Sequence, residues 1–432
     1  MVSRSVQLQC DLLIIGAGPA GLAATKTALA QGFSVILLDD NPQAGGQIWR
    51  QGVKQRLPTL AKEYLALLCG QQKLRYFANS QVVAVTGQQL FFIAPEHSGQ
   101  ISYQKLILCV GAREKLLPFP GWTLNGVTGA GGLQALIKNG LPIARQKVVV
   151  AGSGPLLLAT GKTVQQAGGQ LIGIVEQVSW SQLRSLMLQL VRWPNKFRQA
   201  IMLQALKRYY TNSLVVAALG DTKLEAVQLR RGKQRITLAC DRLACGFGLR
   251  PNTELAQLLN CQLTHDAIKV NKYQQTNFDH IYAAGECTGI GGSELALLEG
   301  QIASLHAIGH HHALLPLLKQ RQKWQQFADT LARYFTLSAA VHQLADAQTI
   351  ICRCEDIPFD QLTGFTDWQQ AKMATRCGMG ACQGKICGAI AQDYWHWPLP
   401  APRQPLIPVA IEQLVQLPIA TNQLTQDPSQ PE

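Results

Sequence analysis

Charged residues are scarce in this sequence, and acidic residues are the scarcer kind. Of 432 residues only 15% are charged, with 26 Asp and Glu against 39 Lys and Arg, while 47% are hydrophobic. This composition is typical of packed domains and excludes general disorder. The chain also lacks a run of about 18 apolar residues, and its first ten residues lack the apolar core of a signal peptide. We therefore expect a cytoplasmic protein of two or three domains.

Twelve cysteines are present without an export signal. We interpret them as reduced thiols or metal ligands rather than as disulfides. The formal net charge of +13 would suit nucleic acid, an anionic membrane surface, an acidic partner subunit or nucleotide phosphates. No nucleic-acid-binding motif accompanies the charge, so we expect no nucleic-acid partner and at most peripheral membrane contact.

Two segments share one order of elements: an apolar strand, a glycine turn, a helix of small residues, and a second strand that ends in an acid. They are residues 11–40 and 147–176. This order is typical of the βαβ units of parallel, doubly wound sheets. Between residues 177 and 220 there are six Lys or Arg and no acid. Because its apolar residues recur at helical spacing, we predict a packed helix pair with a solvated basic face there, rather than a docking surface.

The first glycine turn carries the G-x-G-x-x-G pattern as Gly16, Gly18 and Gly21. Gly16 permits the tight turn, Gly18 lets the backbone approach a pyrophosphate, and Gly21 permits close helix–strand packing. Asp39 ends the next strand, 23 residues after Gly16, where a carboxylate can bind ribose hydroxyls. The turn therefore predicts a dinucleotide site; the alternative is a glycine-rich turn without a ligand.

The second turn has Gly152 and Gly154 but Leu157 at the third glycine position. Glu176, 24 residues after Gly152, would favour an unphosphorylated ribose, and so NAD rather than NADP. Three interpretations stay open for this turn: a bound dinucleotide, another nucleotide such as ATP, or an empty scaffold.

Four cysteines near the C-terminus form a C-x-C pair and, after 27 intervening residues, a C-x4-C pair: Cys352, Cys354, Cys382 and Cys387. Four thiolates on short glycine-rich loops suit an all-cysteine [2Fe–2S] cluster. Structural zinc is an alternative, although it usually takes cysteines separated by two to four residues. We interpret Cys377 as a packed thiol outside the ligand set.

Redox-active disulfides are not expected. Segment 41–50 contains no cysteine. Cys240 and Cys245 bracket a predicted strand, which would separate their Cα atoms by about 16 Å, whereas a disulfide needs less than about 7 Å. We interpret both as core thiols.

The two glycine turns, with the segments 111–122 and 282–303, resemble the flavoprotein reductases that have two dinucleotide-binding domains. In that family a glycine after a strand closes the first half of the FAD domain, as Gly111 does here. A G-D pair places its acid by the flavin; Gly285-Glu286 matches that pair with Glu in place of Asp. The resemblance also assigns Gln47 to the cofactor site. The alternative for Glu286 is an ordinary neighbour of a helix N-cap.

The C-terminal cysteine segment is similar to the bacterioferritin-associated-ferredoxin type of [2Fe–2S] domain. From about Asp11 to about Pro408 the order of segments, together with CRCED and RCGMGACQGKICG, resembles the larger FAD/iron–sulfur subunits of opine oxidases, hydrogen cyanide synthase and dye-linked proline or hydroxyproline dehydrogenases. The C-x4-C spacing of the second pair matches these subunits, whereas the bacterioferritin-associated proteins have C-x2-C.

The resemblance implies an α/β fold with two Rossmann-like domains, as in glutathione reductase, and a small helical [2Fe–2S] domain. The expected boundaries are an FAD domain, a second nucleotide-binding domain, a helical linker, a cluster domain and an extended tail: 1–112 with 251–312, 113–250, 313–348, 349–395 and 396–432.

The resemblance further implies an electron-transfer subunit of an amino-acid, opine or amine dehydrogenase. A smaller FAD-dependent subunit would oxidise the substrate, and a small ferredoxin-like subunit is a further expected partner. The cofactors would be FAD and the cluster, with NAD or ATP at the second turn, and the acceptor NAD or a quinone. We assign no catalytic acid or base. Two alternatives remain: a self-sufficient NAD(P)H-dependent reductase, and a non-enzymatic iron–sulfur sensor or assembly module.

Overall fold

The computed structural model describes residues 4–52, 57–95, 97–204 and 208–415. The predicted tail therefore lies outside the described residues from 416 onward. No helix within these ranges is both long and apolar enough to cross a lipid bilayer.

The N-terminal region forms one sheet with helices against it. Its elements are β1 (Arg4–Ile15), α1 (Pro19–Ala30), β2 (Val35–Leu38), α2 (Thr59–Ala66), β3 (Leu74–Phe77), β4 (Gln81–Thr86), β5 (Gln89–Ile93) and β6 (His97–Leu108). The strand order is β3-β2-β1-β6-β5-β4. The first four strands of this order are parallel, while β4, β5 and β6 pair antiparallel. Helix α1 forms because it is rich in alanine and has Pro19 in its first turn.

A second sheet follows in the middle of the chain. Its region contains β7 (Ala112–Glu114), β8 (Val127–Gly129), α3 (Ala130–Lys138), β9 (Lys147–Gly152), α4 (Pro155–Gln166), β10 (Gln170–Glu176), α5 (Trp180–Leu190), α6 (Pro194–Gln204), β11 (Tyr209–Tyr210), β12 (Ser213–Leu219), β13 (Ala226–Arg231), β14 (Gln234–Ala239), β15 (Arg242–Gly246) and β16 (Leu249–Pro251). Five parallel strands run in the order β11-β10-β9-β15-β8, and β12, β13 and β14 form an antiparallel sheet. Strands β7 and β16 pair antiparallel where the chain enters and leaves this region.

The chain then returns to the first sheet through α7 (Glu254–Leu258), β17 (Leu263–Thr264), β18 (Ala267–Ile268), β19 (Ile281–Ala283) and α8 (Gly292–Ala307). Strand β19 pairs with β6, and α8 packs on α1 so closely that a side chain at Gly300 would collide with the carbonyl oxygen of Ala20. Helix α9 (Leu314–Tyr334) packs on α5 and α6, which are the two helices predicted between residues 177 and 220.

The C-terminal region is small and contains β20 (Ile350–Cys352), β21 (Ile357–Pro358), α10 (Trp368–Thr375), α11 (Cys387–Trp395) and α12 (Ile411–Leu414), with 3-10 turns at Ala339–Gln343 and Asp360–Leu362. It shares one hydrophobic core with the middle region: Val149, Val175 and Val215 belong to the same buried cluster as Ile351 and Trp368. The chain next crosses to the first sheet, where the amide of Leu406 donates to the carbonyl of Val83. The predicted α/β class is confirmed.

Candidate functional site

The first glycine turn lies between β1 and α1. A side chain at Gly16 would collide with the carbonyl oxygen of Cys109, and one at Gly21 with the carbonyl oxygen of Gly16. Gly16 also has a φ of +104°, a conformation that side chains rarely adopt. At Gly18 the situation differs, because the nearest atom to an added Cβ is the Cα of Gly46 at 3.9 Å. Gly16 and Gly21 are therefore needed for the backbone, whereas Gly18 leaves space beside the helix end.

Asp39 holds this turn in place. Its Oδ2 accepts the amide hydrogen of Ala17, and its Oδ1 accepts that of Asn41 at 2.8 Å. The side chain is only 5% exposed. The carboxylate thus lies beside the first turn, as predicted, with its backbone partners on two sides.

Arg50 shows that this site suits an anionic ligand. Its Nη2 donates to Gln47 at 2.9 Å, while its Nε is buried with no partner among the described residues. No described side chain caps the N-terminus of α1. An unpaired guanidinium N–H and an uncapped helix start are the groups that a pyrophosphate would satisfy. The residues present therefore fit the predicted dinucleotide, with Gln47 exposed beside them.

The later segments reach the same turn. A side chain at Gly285 would lie 2.9 Å from the Cβ of Ala20 in α1. Gly111, in a left-handed conformation with a φ of +65°, directs its amide at the thiol of Cys287. Burial raises the pKa of Glu286, although the amide of Gly292 at the start of α8 opposes this. That contact corresponds to the helix-cap alternative, so a flavin contact for Glu286 stays a prediction.

A buried ion pair supports Gly285 and was not predicted from the sequence. Glu299 of α8 accepts the amide hydrogen of Gly285 at 3.0 Å and pairs with Arg321 of α9 at 3.0 Å. Burial raises the pKa of Glu299, and the positive charge of Arg321 opposes that rise. Glu299 in a largely apolar helix gives little sequence signal, because its partner Arg321 is 22 residues away.

The second glycine turn has the same order of strand, turn and helix, but Gly154 before α4 has a φ of +103°, whereas Gly18 before α1 has a φ of −75°. A side chain at Gly152 would collide with the carbonyl oxygen of Gly246, as at the first turn. Leu157, at the third glycine position, is fully buried because Gly246 leaves room for it: a Cβ at Gly246 would lie 2.8 Å from Leu157. The strand, rather than the helix, provides the small residue.

The predicted ribose ligand of the second turn points inward. Glu176 is fully buried, and its carboxylate accepts the amide hydrogens of Gly154 at 2.9 Å and Val178 at 3.1 Å. Burial raises the pKa of Glu176 to about 7, although both amides and the hydroxyl of Tyr209 oppose the rise. Glu176 therefore supports the turn from within.

The segment after α9 covers the second turn; we call residues 335–344 the cover segment. The ring of Phe335 lies 3.8 Å from the place of a Cβ at Gly154. Gln177 donates to the carbonyl of Thr336 at 3.0 Å and accepts the amide hydrogen of Ser338 at 3.1 Å. Three further apolar side chains of the cover segment line a small cavity against Gly152: Leu337, Val341 and Leu344. The sequence offered no signal for this cover.

The C-terminal cysteines gather in one place. The Sγ atoms of Cys352, Cys377 and Cys387 all lie within 4.8 Å of one another, and all three thiols are buried. The thiols of Cys354 and Cys382 contact each other beside them. Cys377, interpreted from the sequence as a packed thiol, thus lies among the four predicted ligands. Its place in the same glycine-rich loop was the available signal.

The loop around Cys382 favours a thiolate. Burial alone would raise the pKa of Cys382, but the amide of Ile386, the thiol of Cys354 and the amides of Gly384 and Lys385 together outweigh it and the pKa is lowered. Close packing continues at Gly380, where a side chain would collide with the Cβ of Cys354. Soft sulfur donors with backbone amides directed at them fit an iron–sulfur cluster.

The charge of this cysteine loop acts on the first nucleotide site. Partial burial and the charge of Asp39 raise the pKa of Asp40, whereas the positive charges of Lys385 and Arg50 oppose the rise. Lys385 belongs to the C-x4-C loop, and Arg50 to the first turn's surroundings. The cysteine loop is therefore within electrostatic reach of the first nucleotide site.

The other cysteine pair behaves as predicted. Cys240 and Cys245 are buried thiols without a disulfide; Cys240 lies just before β15 and Cys245 within it. Burial raises the pKa of Cys240 to about 12, which suits a core thiol.

Comparison with known proteins agrees with these sites. A sequence profile of the pyridine nucleotide-disulphide oxidoreductase family matches residues 10–308. Hydrogen cyanide synthase subunit HcnB of Pseudomonas protegens is 31% identical over 427 residues, covering 88% of this chain and 91% of that protein. An opine oxidase subunit of Rhizobium meliloti is 26% identical over 464 residues, covering 94% and 88% respectively.

Among solved structures, L-proline dehydrogenase from P. horikoshii matches with a TM-score of 0.69 at 18% identity, covering 95% of this chain and 80% of that one. At this identity the likeness concerns the fold alone. The resemblance and the oxidoreductase class predicted from the sequence are confirmed by the closer relatives. The chain belongs to the pyridine nucleotide-disulphide oxidoreductase family of flavin oxidoreductases, together with its hydrogen cyanide synthase and opine oxidase relatives.

Proposed function

We propose that this chain is the FAD- and [2Fe–2S]-containing electron-transfer subunit of a multi-subunit amino-acid, opine or amine dehydrogenase. A smaller flavoprotein subunit would oxidise the substrate and pass electrons to this chain. The observation that carries the proposal is the convergence of the C-terminal thiols, on a loop whose Lys385 lies within electrostatic reach of Asp40 at the first nucleotide site. When bound there, FAD would exchange one or two electrons and the cluster one.

The first turn would hold the FAD. The uncapped start of α1 and the free Nε of Arg50 would bind the pyrophosphate, and Asp39 would orient the adenosine ribose. Gly285, kept in place by Glu299, would let the flavin side of the cofactor approach the backbone. The cluster would be held by Cys352, Cys354, Cys382 and Cys387.

The cover segment favours a partner subunit, rather than NAD(P)H, as the source of electrons. Phe335 lies against Gly154, where a dinucleotide's pyrophosphate would need to approach. The relatives point the same way, because the hydrogen cyanide synthase and opine oxidase relatives are both named as subunits.

The proposal is tested by purifying the full chain alone and then together with its partner. Alone, we expect FAD, iron and acid-labile sulfide, and no oxidation of amino acids or opines with a dye acceptor. Adding the substrate-oxidising subunit should bring reduction of this chain's chromophores by substrate. Turnover by the single chain, or zinc without sulfide, would refute the proposal.

Two matched variants connect the result to the thiols. Cys382→Ala removes a thiol whose loop amides favour its ionised form, and it should abolish the iron and sulfide content. Cys240→Ala removes a core thiol between β14 and β15 and should leave both contents unchanged. Equal loss of iron and sulfide in the two variants would show that this loop does not bind the iron.

A further inference from the structure

The five C-terminal thiols divide into two groups. Cys354 and Cys382 form an outer pair, since Cys354 is exposed and Cys382 half-buried. The other three form an inner trio, in which the thiol of Cys387 contacts those of both Cys377 and Cys352. Within the trio all Sγ atoms lie within 4.8 Å of one another.

An all-cysteine [2Fe–2S] cluster takes two thiolates on each iron. The outer pair provides two thiolates for one iron. The inner trio provides three for the other, which is one more than that iron needs. Cys387 contacts both of the remaining members, so either of them can complete the second pair.

The conformation and contacts of the loop fix the position of Cys377. Arg376 before it has a φ of +65° and Gly378 after it a φ of +82°. The amide of Cys377 donates to the hydroxyl of Thr375 at 3.2 Å, and the ring of Trp368 closes the space beside Gly378. These contacts direct the Cys377 thiol at the buried side of the group, where it is 0% exposed.

We infer that Cys377 is a fifth ligand thiol, interchangeable with Cys352 at the inner iron of the cluster. This inference rests on the proposed cluster. It differs from a simple packing role for Cys377, because with packing alone no thiol would replace Cys352 and Cys352→Ala would lose the cluster. It also distinguishes the two groups: the outer pair has no spare thiol among the described residues, and the inner trio has one.

The test compares four variants of the full chain: Cys377→Ala, Cys352→Ala, the double variant of both, and Cys354→Ala. Iron and acid-labile sulfide are measured per FAD, together with the EPR spectrum of the dithionite-reduced protein. Cys377→Ala should keep both contents and the wild-type spectrum. Cys352→Ala should keep both contents with a changed spectrum, because another thiolate binds the iron. The double variant and Cys354→Ala should each lose roughly tenfold or more of the iron and sulfide.

Cys261→Ala serves as a control, since Cys261 is a buried thiol in the core of the first sheet. If Cys352→Ala loses its cluster as completely as the double variant, the interchange is refuted while the proposed function stands. Retention of the cluster in the double variant would also refute it. Absence of iron and sulfide from the wild-type chain would overturn the proposed function itself.

Discussion

The two glycine turns share a strand, a turn and a helix, but different groups face them. The backbone of Gly46 lies opposite Gly18, while the ring of Phe335 lies opposite Gly154. An unpaired guanidinium N–H lies beside the first turn, whereas a buried Glu176 and the cover segment surround the second. A nucleotide-binding fold can therefore keep its order of strand, turn and helix while a segment of its own chain occupies the place of the ligand.

The middle region also makes extensive contacts with the C-terminal region. Its core is continuous with that of the C-terminal region, and the indole N–H of Trp122 donates to the carbonyl of Ile350 at 2.6 Å. Lys115 pairs with Asp393 of α11 at 3.1 Å. The second sheet thus holds the cysteine loop within electrostatic reach of the first nucleotide site. We interpret the middle region as the support for the C-terminal thiols rather than as a second nucleotide site.

Substituting the first turn should have the largest effect on FAD binding. Gly18→Ala adds a Cβ that meets no atom closer than 3.9 Å, so the chain should fold, but the methyl group would occupy the space of a pyrophosphate. We expect FAD affinity to fall at least about tenfold, which is about 1.4 kcal/mol. The measurement is FAD content and titration of the apoprotein. Gly132→Ala in α3 is the control, and unchanged FAD binding in Gly18→Ala would contradict the assignment.

Protonation of Glu176 should give the second turn a pH dependence. Its pKa in the folded chain is about 7, above the ordinary 4.5, so stability is lost as pH rises between these values. The difference corresponds to about 3 kcal/mol. Glu176→Gln removes this loss.

The difference in apparent melting temperature, Glu176→Gln minus wild type, should therefore be more positive at pH 8 than at pH 5. Glu225→Gln, an exposed acid of the same region, is the control. A relative melting temperature that stays flat, or falls, between the two pH values would show that the buried carboxyl is not titrating there.

Truncating a side chain of the cover segment should affect the second turn and leave the first unchanged. Phe335→Ala removes a half-buried ring that packs against Gly154, and we expect a loss of about 2 kcal/mol in the apparent free energy of unfolding. FAD content should stay at the wild-type level, because the first turn is untouched. Loss of FAD in this variant would contradict the independence of the two turns.

The smallest effect is expected at Gln177. Gln177→Ala removes two hydrogen bonds to the cover segment at a partly exposed position, which should cost about 1 kcal/mol. Proteolysis between residues 335 and 344 should become faster than in Gln234→Ala, an exposed control. Equal rates would show that Gln177 does not hold the cover.

The sequence predicted the strand, turn and helix at both sites, because glycine spacing depends on the local backbone conformation. The acids Asp39 and Glu176 were found at the ends of their strands for the same reason. What the pattern could not report was the cover over the second turn, since residues 335–344 are far from Gln177 and Gly154 in the sequence. The place of Cys377 among the other thiols was not foreseen, because spacing along the chain does not say which thiols converge in space. Glu299 and Arg321 pair across two helices, which no short motif encodes.

The most direct test of this account is an anaerobic titration of the purified full chain, following flavin absorbance. NADH in excess should leave the flavin oxidised, because the second turn is covered by the chain itself, while dithionite should then bleach both flavin and cluster. Rapid bleaching by NADH would contradict the closure of the second turn. It would favour the alternative function, a self-sufficient NAD(P)H-dependent reductase.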